Sequence, residues 1–590
     1  MDADQAPKGD DFIGEAGWPL RPLLLAGLGL ATGLIFHWIL GNRFESSIEA
    51  WRAAMLACVT LGAALIGFTL ERRLWWASIL FSLAVALVGG LVIYWNGSPG
   101  GWGSGEGWRT ISLLLAVAIA APLFQAARDE GARRFPYASV HDHAWTNVVL
   151  WCACWLFVAI VLALSWLLAS LFDLIKIDLL RRLLEKEWFW RALVGFAFGA
   201  GLGLLRENDG VVRLLQRVVA TVLAVLAPVL GIGLALFLLA LPFTGLQALW
   251  DATSATTPIL LACVIGALIL ANAVIGNMPE HERRFPLLRY AAMLLAAVVL
   301  PLAIIAAIAT GLRISQYGFT PERLWAVVFV GLACLYGAAY LAALALGRLG
   351  WAARVRPMNL TLAFVTCGLA LLLATPLISF NAISTRDQLA RLESGRVMPD
   401  RFDWRALAFD FGEPGKAALK RLQASANPRI RTLAADAAKA KTRWEVAEAG
   451  RLEQNRQRVT KNLRVLPAGG RVPSMLVEAL AKAGDCIGNR GCTLLLLGEG
   501  EALFFNDTCF QAPDPARGTR RVSYPVADCR GGERYLLVDR DWKSAGFVNR
   551  SADAQRAAVA RAFAAGQVEI RTVPRRQVFV GGIPVGQPFE

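Results

Sequence analysis

Eleven apolar stretches fill the first 380 residues and leave little room for any fold other than a membrane bundle. A spanning helix needs about 20 mostly apolar residues. That length is met or approached at 22–40, 52–70, 74–95, 109–127, 147–172, 191–205, 216–241, 257–275, 287–310, 323–346 and 358–380. The sixth run is short. The seventh, "QRVVATVLAVLAPVLGIGLALFLLAL", is long enough to tilt or to bend at Pro228. Only 18% of the 590 residues are charged, against about a quarter in an ordinary soluble domain. Charge is also unevenly placed: residues 1–380 hold 26 Lys and Arg and 22 Asp and Glu, whereas 381–590 hold 34 and 23. The expected architecture is therefore an all-α polytopic membrane bundle of about eleven helices over 22–380. A short segment, 1–21, precedes it; a basic helical juxtamembrane segment, 381–470, and a small α+β soluble domain, 471–590, follow.

Orientation follows from Lys and Arg in the short loops. One alternate set of loops (71–73, 128–146, 206–217, 276–289 and 347–357) carries fourteen basic residues and the other set ten, five of them in 173–191. Residues 1–17 are acidic and no cleavage site follows the first run, so that run is expected to remain as a span. The reading is a multi-pass protein of a bacterial inner membrane with a cytoplasmic N-terminus and a periplasmic C-terminal domain. Cysteines point the same way. Six of ten lie in spans as small apolar fillers, and Cys486, Cys492, Cys509 and Cys529 cluster in the tail. Four in an exported domain suggest two disulfides, with Cys486–Cys492 and Cys509–Cys529 favoured; their spacing lacks the short C-x2-4-C knuckle of a zinc site.

The tetrapeptide RRFP occurs twice, at 133–136 and 283–286. Arg133, Arg134, Arg283 and Arg284 precede spans on the basic face and hold orientation, with Phe135 and Phe285 at headgroup level and Pro136 and Pro286 in the first helical turn. "ERRLWW" at 71–76 repeats that order, so the motif reads as interface chemistry, not a duplicated site. His141, His143 and His281 on the same face are candidate metal ligands, weakened by the absence of usual ligand spacings. No cofactor is expected.

"LIKIDLLRRLLEKEWFWR", 174–191, has Ile177, Leu180, Leu184 and Trp188 at helical spacing and reads as an interfacial amphipathic helix or a connecting helix packed on the bundle. In "QYGFTPERLW", Tyr317 and Gly318 precede a helix start in which Thr320 caps, Pro321 takes the first position and Glu322 meets the positive helix end. Deep polar residues are neutral: Thr60, Ser165, Asn272, Thr361 and Thr366. Gly199, Gly201 and Gly203 allow close helix contact. In the tail, "CTLLLLG", "EALFFND", "RRVSYPV", "RYLLVDRD", "VEIRTV" and "RQVFVGG" read as strands, with helices before them and at 551–567.

"RRFPYASVHDHAW", "AFGAGLGLLREN", "ALPFTGLQALW", "RISQYGFTPERLWAVV" and the block from Phe380 to Leu419 together resemble a bacterial polytopic inner-membrane family, domain of unknown function 4153. The resemblance runs from about 110 to about 425 and implies topology without implying chemistry. Three functions compete: a non-enzymatic envelope protein presenting its soluble domain outside, a transporter or lipid-handling permease, and a membrane-embedded transferase. Membrane lipid and an envelope protein docking on the C-terminal domain are the expected partners; a nucleic acid is not.

Overall fold

The computed structural model describes residues 18–41, 48–131, 135–252, 255–283, 285–483, 486, 492–498, 500–506, 533–547, 565, 574, 576–580 and 583–589. The chain divides into two compact units, Met1–Ala438 and Lys439–Glu590. The boundary falls inside the 381–470 segment that the sequence treats as one piece.

Ten helical stretches of the first unit are long and apolar enough to cross a membrane. The last, Pro321–Ala374, is two helices that reverse at Arg348–Gly350 and pack on each other. The crossing helices are α1 (Arg21–Leu40), α2 (Ala50–Thr69), α3 (Trp75–Asn96), α4 (Ser104–Glu130), α5 (Tyr137–Leu174), α7 (Glu187–Glu207), α8 (Asp209–Ala252), α9 (Thr256–Ile275), α10 (Pro286–Tyr317), α11 (Pro321–Gly347) and α12 (Trp351–Ala374), with the short α6 (Leu179–Leu184) between α5 and α7. Each apolar run of the sequence falls on one of them. Leu24, Leu80, Leu156, Leu167 and Leu236 are each more than half exposed on these helices. Such a surface is stable only against lipid, and the chain is a multi-pass membrane protein.

Three expectations are corrected. The sixth span is not short: α7 is 21 residues long, because its first turn carries Glu187 and Arg191, joined as an ion pair at 2.7 Å. Residues 174–191 form no continuous amphipathic helix. Lys176 at φ 62° and the extended Lys186 break the pattern on either side of α6. The backbone break in α8 lies at Gly245 (φ 73°, ψ 158°), not at Pro228. A proline inside a span is tolerated where neighbouring helices support the turn, while glycine supplies a positive φ at no steric cost.

Two packing devices hold the bundle. In the half built on α10, Ala292, Leu295, Ala296, Val299, Leu302, Ala303 and Ala306 form a buried stripe at helical spacing, against which α8, α9 and α11 pack. In the other half α1 and α7 run antiparallel with almost no side chain between them. A Cβ on Gly29 would overlap the Gly195 carbonyl, and one on Gly199 the Leu25 carbonyl. A Cβ on Gly203 would come within 2.5 Å of Pro22 Cα, and Gly33 faces Arg191 and Ala192 in the same way. The four-residue repeat on both helices keeps the small residues on one line, and contact at that range supplies dispersion energy that lipid cannot.

Beyond α12 the chain forms α13 (Phe380–Glu393), α14 (Gly412–Leu422) and α15 (Pro428–Lys439). The first of these docks on the α10–α11 turn. Asp387 Oδ2 accepts from Phe319 N (2.7 Å), Gln388 Nε2 donates to the Tyr317 and Phe319 carbonyls (both 2.9 Å), and Arg391 donates to the Gln316 carbonyl (2.8 Å). Gly318 has φ +76°, and a Cβ there would meet Asp387 Oδ2. Thr320 Oγ1 accepts from Arg323 N at 3.3 Å, capping α11, and Pro321 and Glu322 occupy its first turn.

The second unit contains α16 (Arg443–Asn462), α17 (Ser474–Ala483) and a five-stranded sheet: β1 (Leu463–Leu466), β2 (Cys492–Gly498), β3 (Glu501–Asn506), β4 (Glu533–Val538) and β5 (Asp541–Phe547). β1 pairs parallel to β2 and the rest are antiparallel. Val459, Leu476, Leu480, Leu494, Phe504, Tyr535 and Trp542 make its core. A separate hairpin joins β6 (Arg576–Val580) and β7 (Ile583–Phe589). Cys486 and Cys492 are disulfide-bonded, with Cα atoms 5.6 Å apart. Cys509, Cys529, the strands expected at 520–526 and 568–573 and, but for residue 565, the helix at 551–567 lie outside the described residues.

Candidate functional site

Alternating crossings bring the C-terminal ends of α2, α4, α7 and α9 and the N-terminal ends of α1, α3, α5 and α8 to one face. Four carbonyls at the end of an α-helix lack intrahelical partners, and in α2 all four are capped by side chains from other helices. Arg206 of α7 donates to Gly67 O (2.5 Å) and Leu70 O (2.9 Å). Gln125 of α4 donates to Phe68 O (2.9 Å), and Thr69 O accepts from Arg128 of α4 and from Ser78 of α3 (2.8 Å). Glu71, just past the helix, accepts from Arg21 (2.6 Å) and from Arg206, and Glu207 pairs with Arg21 at 3.4 Å. Positive guanidinium groups thus sit at the negative helix end, their charge balanced locally.

The end of α9 is built alike. Arg356 of α12 donates to Ile275 O (2.7 Å) and Met278 O (3.3 Å) and lies 3.4 Å from Glu282, while Arg283 N donates to Val274 O (3.0 Å). Asn277 Nδ2 donates to Asp142 Oδ1 (2.6 Å), which leaves its Oδ1 facing His281 Nδ1 at 2.6 Å. A carboxylate accepts only, so the amide must face it nitrogen first. The His281 proton then sits on Nδ1 and Nε2 of the neutral ring is an acceptor. His143 Nε2 lies 3.0 Å from Asp129 Oδ2, whose other oxygen accepts from Arg128 Nε (2.7 Å).

These capped ends wall a vestibule of about 1520 Å³. Its polar lining includes Arg21, Arg72, Arg73, Arg128, Arg206, Arg213, Arg217 and Arg283, with six carboxylates and His141, His143 and His281; Trp18, Phe68, Leu74, Trp145, Leu150 and Val212 are apolar parts of the same wall. Gln216 Nε2 donates to Thr146 Oγ1 (2.6 Å) and ties α8 to α5 across it. At its inner end Asn272 donates to the Tyr340 hydroxyl (2.7 Å) and accepts from Asn359 (2.8 Å), and that hydroxyl donates to Asn359 Oδ1 (3.0 Å). The buried Tyr340 hydroxyl and two half-buried amides, from α11, α9 and α12, therefore satisfy one another.

The residues singled out from sequence divide between places. His141, His143, His281 and Arg283 line the vestibule, and Arg283 also donates to Thr221 Oγ1 (2.8 Å). Arg133, Arg134 and Arg284 lie outside the described residues. The two RRFP loops differ: the Phe135 ring meets Phe364 edge-on at 5.1 Å, whereas Phe285 is 63% exposed. Among the described residues no group of three or more His, Cys, Asp or Glu side chains is arranged to hold a metal ion. Tyr317, Gly318, Thr320, Pro321 and Glu322 are at the opposite end of the bundle, beneath α13. His37 is also at that end, where its Nδ1 accepts from Arg191 (2.8 Å). Sequence reasoning missed Glu71, Arg72, Arg73, Arg206, Arg213, Arg217 and Asn277. The available signal was that "ERR", "REND" and "GNMPEHERR" all fall on one face.

No curated protein and no solved structure matches the chain. A sequence model described as Domain of unknown function (DUF4153) matches residues 26–431, well over half of the 590. That stretch covers nearly all of the bundle, every vestibule-lining element after Arg21, and α13 and α14. The chain belongs to the DUF4153 family.

Proposed function

We propose that this DUF4153 member is an inner-membrane protein that handles lipid: it binds an amphiphile in the vestibule without transforming it. The carrying observation is a chamber of about 1520 Å³ lined by both arginines and aromatic side chains. Ordinary small-molecule pockets occupy about 300–1,000 Å³, and a mixed wall suits a polar head joined to apolar chain. Capped helix ends favour binding further, since a preorganised wall reduces the cost of ordering it around a ligand. Against an ion-coupled carrier, the one non-helical position inside a described crossing is Gly245, near the end of α8 away from the vestibule. A photoreactive residue in place of Trp145 is expected to cross-link lipid in native membranes; cross-links to water and protein alone would reject the reading.

The vestibule face carries the richer set of basic loops, so we place it in the cytoplasm, with the N-terminus. Eleven crossings then carry the chain beyond α12 to the outside, where the Cys486–Cys492 bond would persist. The second unit, so placed, offers a surface to an envelope protein. Alkaline phosphatase fused after Glu590 is expected to be active, and fused within 276–283 inactive. The reverse pattern would overturn this orientation.

A further inference from the structure

We propose that the vestibule's ligand ends in a phosphate monoester, held by Arg72, Arg73, Arg213 and Arg217. The proposal rests on the lipid-handling reading and names the headgroup that reading leaves open.

Half of the vestibule's eight lining arginines are already engaged in structure. Arg21 and Arg206 share Glu71, Arg128 pairs with Asp129, and Arg283 holds Thr221. Arg72, Arg73, Arg213 and Arg217 make no ion pair and no side-chain hydrogen bond with the described residues, yet all four line the chamber. Their positions are set by the same clamp. Glu71 immediately precedes Arg72 and Arg73, and it grips Arg206, three residues before α8 begins. Arg213 and Arg217 follow one turn apart on α8, on either side of Gln216, which is fixed to Thr146. The backbone around the four guanidinium groups is therefore held, and the groups themselves are left for something else.

Charge names the class. Of the six lining carboxylates, Glu71, Asp129, Glu207 and Glu282 face arginines, and Asp142 and Glu280 do not. Eight lining arginines against six lining carboxylates leave a surplus of two positive charges. A phosphate monoester carries about −1.5 to −2 at pH 7 and presents three strong acceptor oxygens. A phosphate diester carries one charge and a carboxylate offers two oxygens, so either leaves part of the surplus and many donors unmet. Guanidinium forks match phosphate oxygens in pairs, which a set of lysines would not do.

The shared chemistry fits a lipid headgroup or a soluble phosphate ester, and the test separates them. Full-length protein in a neutral detergent is titrated, by native mass spectrometry, with phosphatidic acid, phosphatidylglycerol and diacylglycerol, and separately with glycerol phosphate. Phosphatidic acid is expected to bind at least tenfold tighter than phosphatidylglycerol, with diacylglycerol weaker still. Replacing the four arginines by glutamine should remove that preference, whereas Lys416→Gln with Lys420→Gln on α14 should keep it. Unchanged thermal melting of each variant shows that the fold is intact. Glycerol phosphate binding as tightly as phosphatidic acid would assign a soluble ester and leave the chemistry standing. Equal binding of the two acidic lipids, or a preference surviving in the arginine variant, would overturn the proposal. Lipid cross-linked at position 145 without a monoester preference would sink this inference alone and leave lipid handling in place.

Discussion

Replacing Gly199 by alanine is expected to destabilise the protein by ~1–3 kcal/mol, the range seen when a methyl is forced into a packed interior. Its sign is the informative part. In an open stretch of helix the same exchange stabilises by roughly 0.5–1 kcal/mol, because alanine loses less backbone freedom on folding. At Gly199 the new methyl meets the Leu25 carbonyl, which is backbone and has no rotamer by which to give way. α1 and α7 must separate along the whole seam, and the contacts at Gly29, Gly33, Gly195 and Gly203 loosen together. Gly27 is the internal control: it lies on α1, the partner helix of the same seam, and a Cβ there meets nothing within 4 Å. Thermal melts of detergent-solubilised protein should show Gly27→Ala neutral or slightly stabilised and Gly199→Ala clearly lowered. Equal melting of the two variants would mean that the seam is not in contact.

Glu71→Ala is expected to cost more, about 3–5 kcal/mol, as removal of one partner from a buried ion pair does. Glu71 is the shared acceptor of Arg21 and Arg206, whose side chains are 11% and 8% exposed. Without it, two guanidinium groups face each other in a partly dry site. The remaining bonds of Arg206 to Gly67 O and Leu70 O, and of Arg21 to Glu207, set the loss toward the lower end of that range. The vestibule wall would suffer with the fold, since α1, α2 and α7 meet at this residue. For comparison, Glu413→Ala removes an exposed partner of Lys416 and should cost ~0–1 kcal/mol. A melting curve for Glu71→Ala that matches Glu413→Ala would remove the clamp from the account.

The crossings were legible because hydropathy is a local quantity: each apolar run reports on its own length, and none depends on its neighbours. Helix starts such as Thr320-Pro321 were legible for the same reason. The vestibule was not, because its arginines are ambiguous one loop at a time. A basic loop beside a span reads as an orientation signal, and Arg72 and Arg206 serve the membrane rule whether or not they also meet a ligand. Only the packing of α1 against α7, and of α4 against α2, distinguishes Arg206 and Arg128 as helix caps from Arg72, Arg73, Arg213 and Arg217 as free donors. Similarly, Gly199 and Gly203 announced close contact without naming the partner helix, whose matching glycines at 29 and 33 lie more than 160 residues earlier in the chain. Residues 174–191 misled because apolar spacing survives on paper where Lys176 breaks the helix.

The central claim is that the vestibule is a ligand chamber, and the most direct measurement is an experimental density map of the full-length protein in nanodiscs containing phosphatidic acid. The account predicts density for a phosphate within hydrogen-bonding reach of Arg72, Arg73, Arg213 and Arg217, its apolar portion running past Trp145 or Phe68. Ordered lipid confined to the outer leucine surface of the bundle, with only solvent against those four arginines, would contradict it.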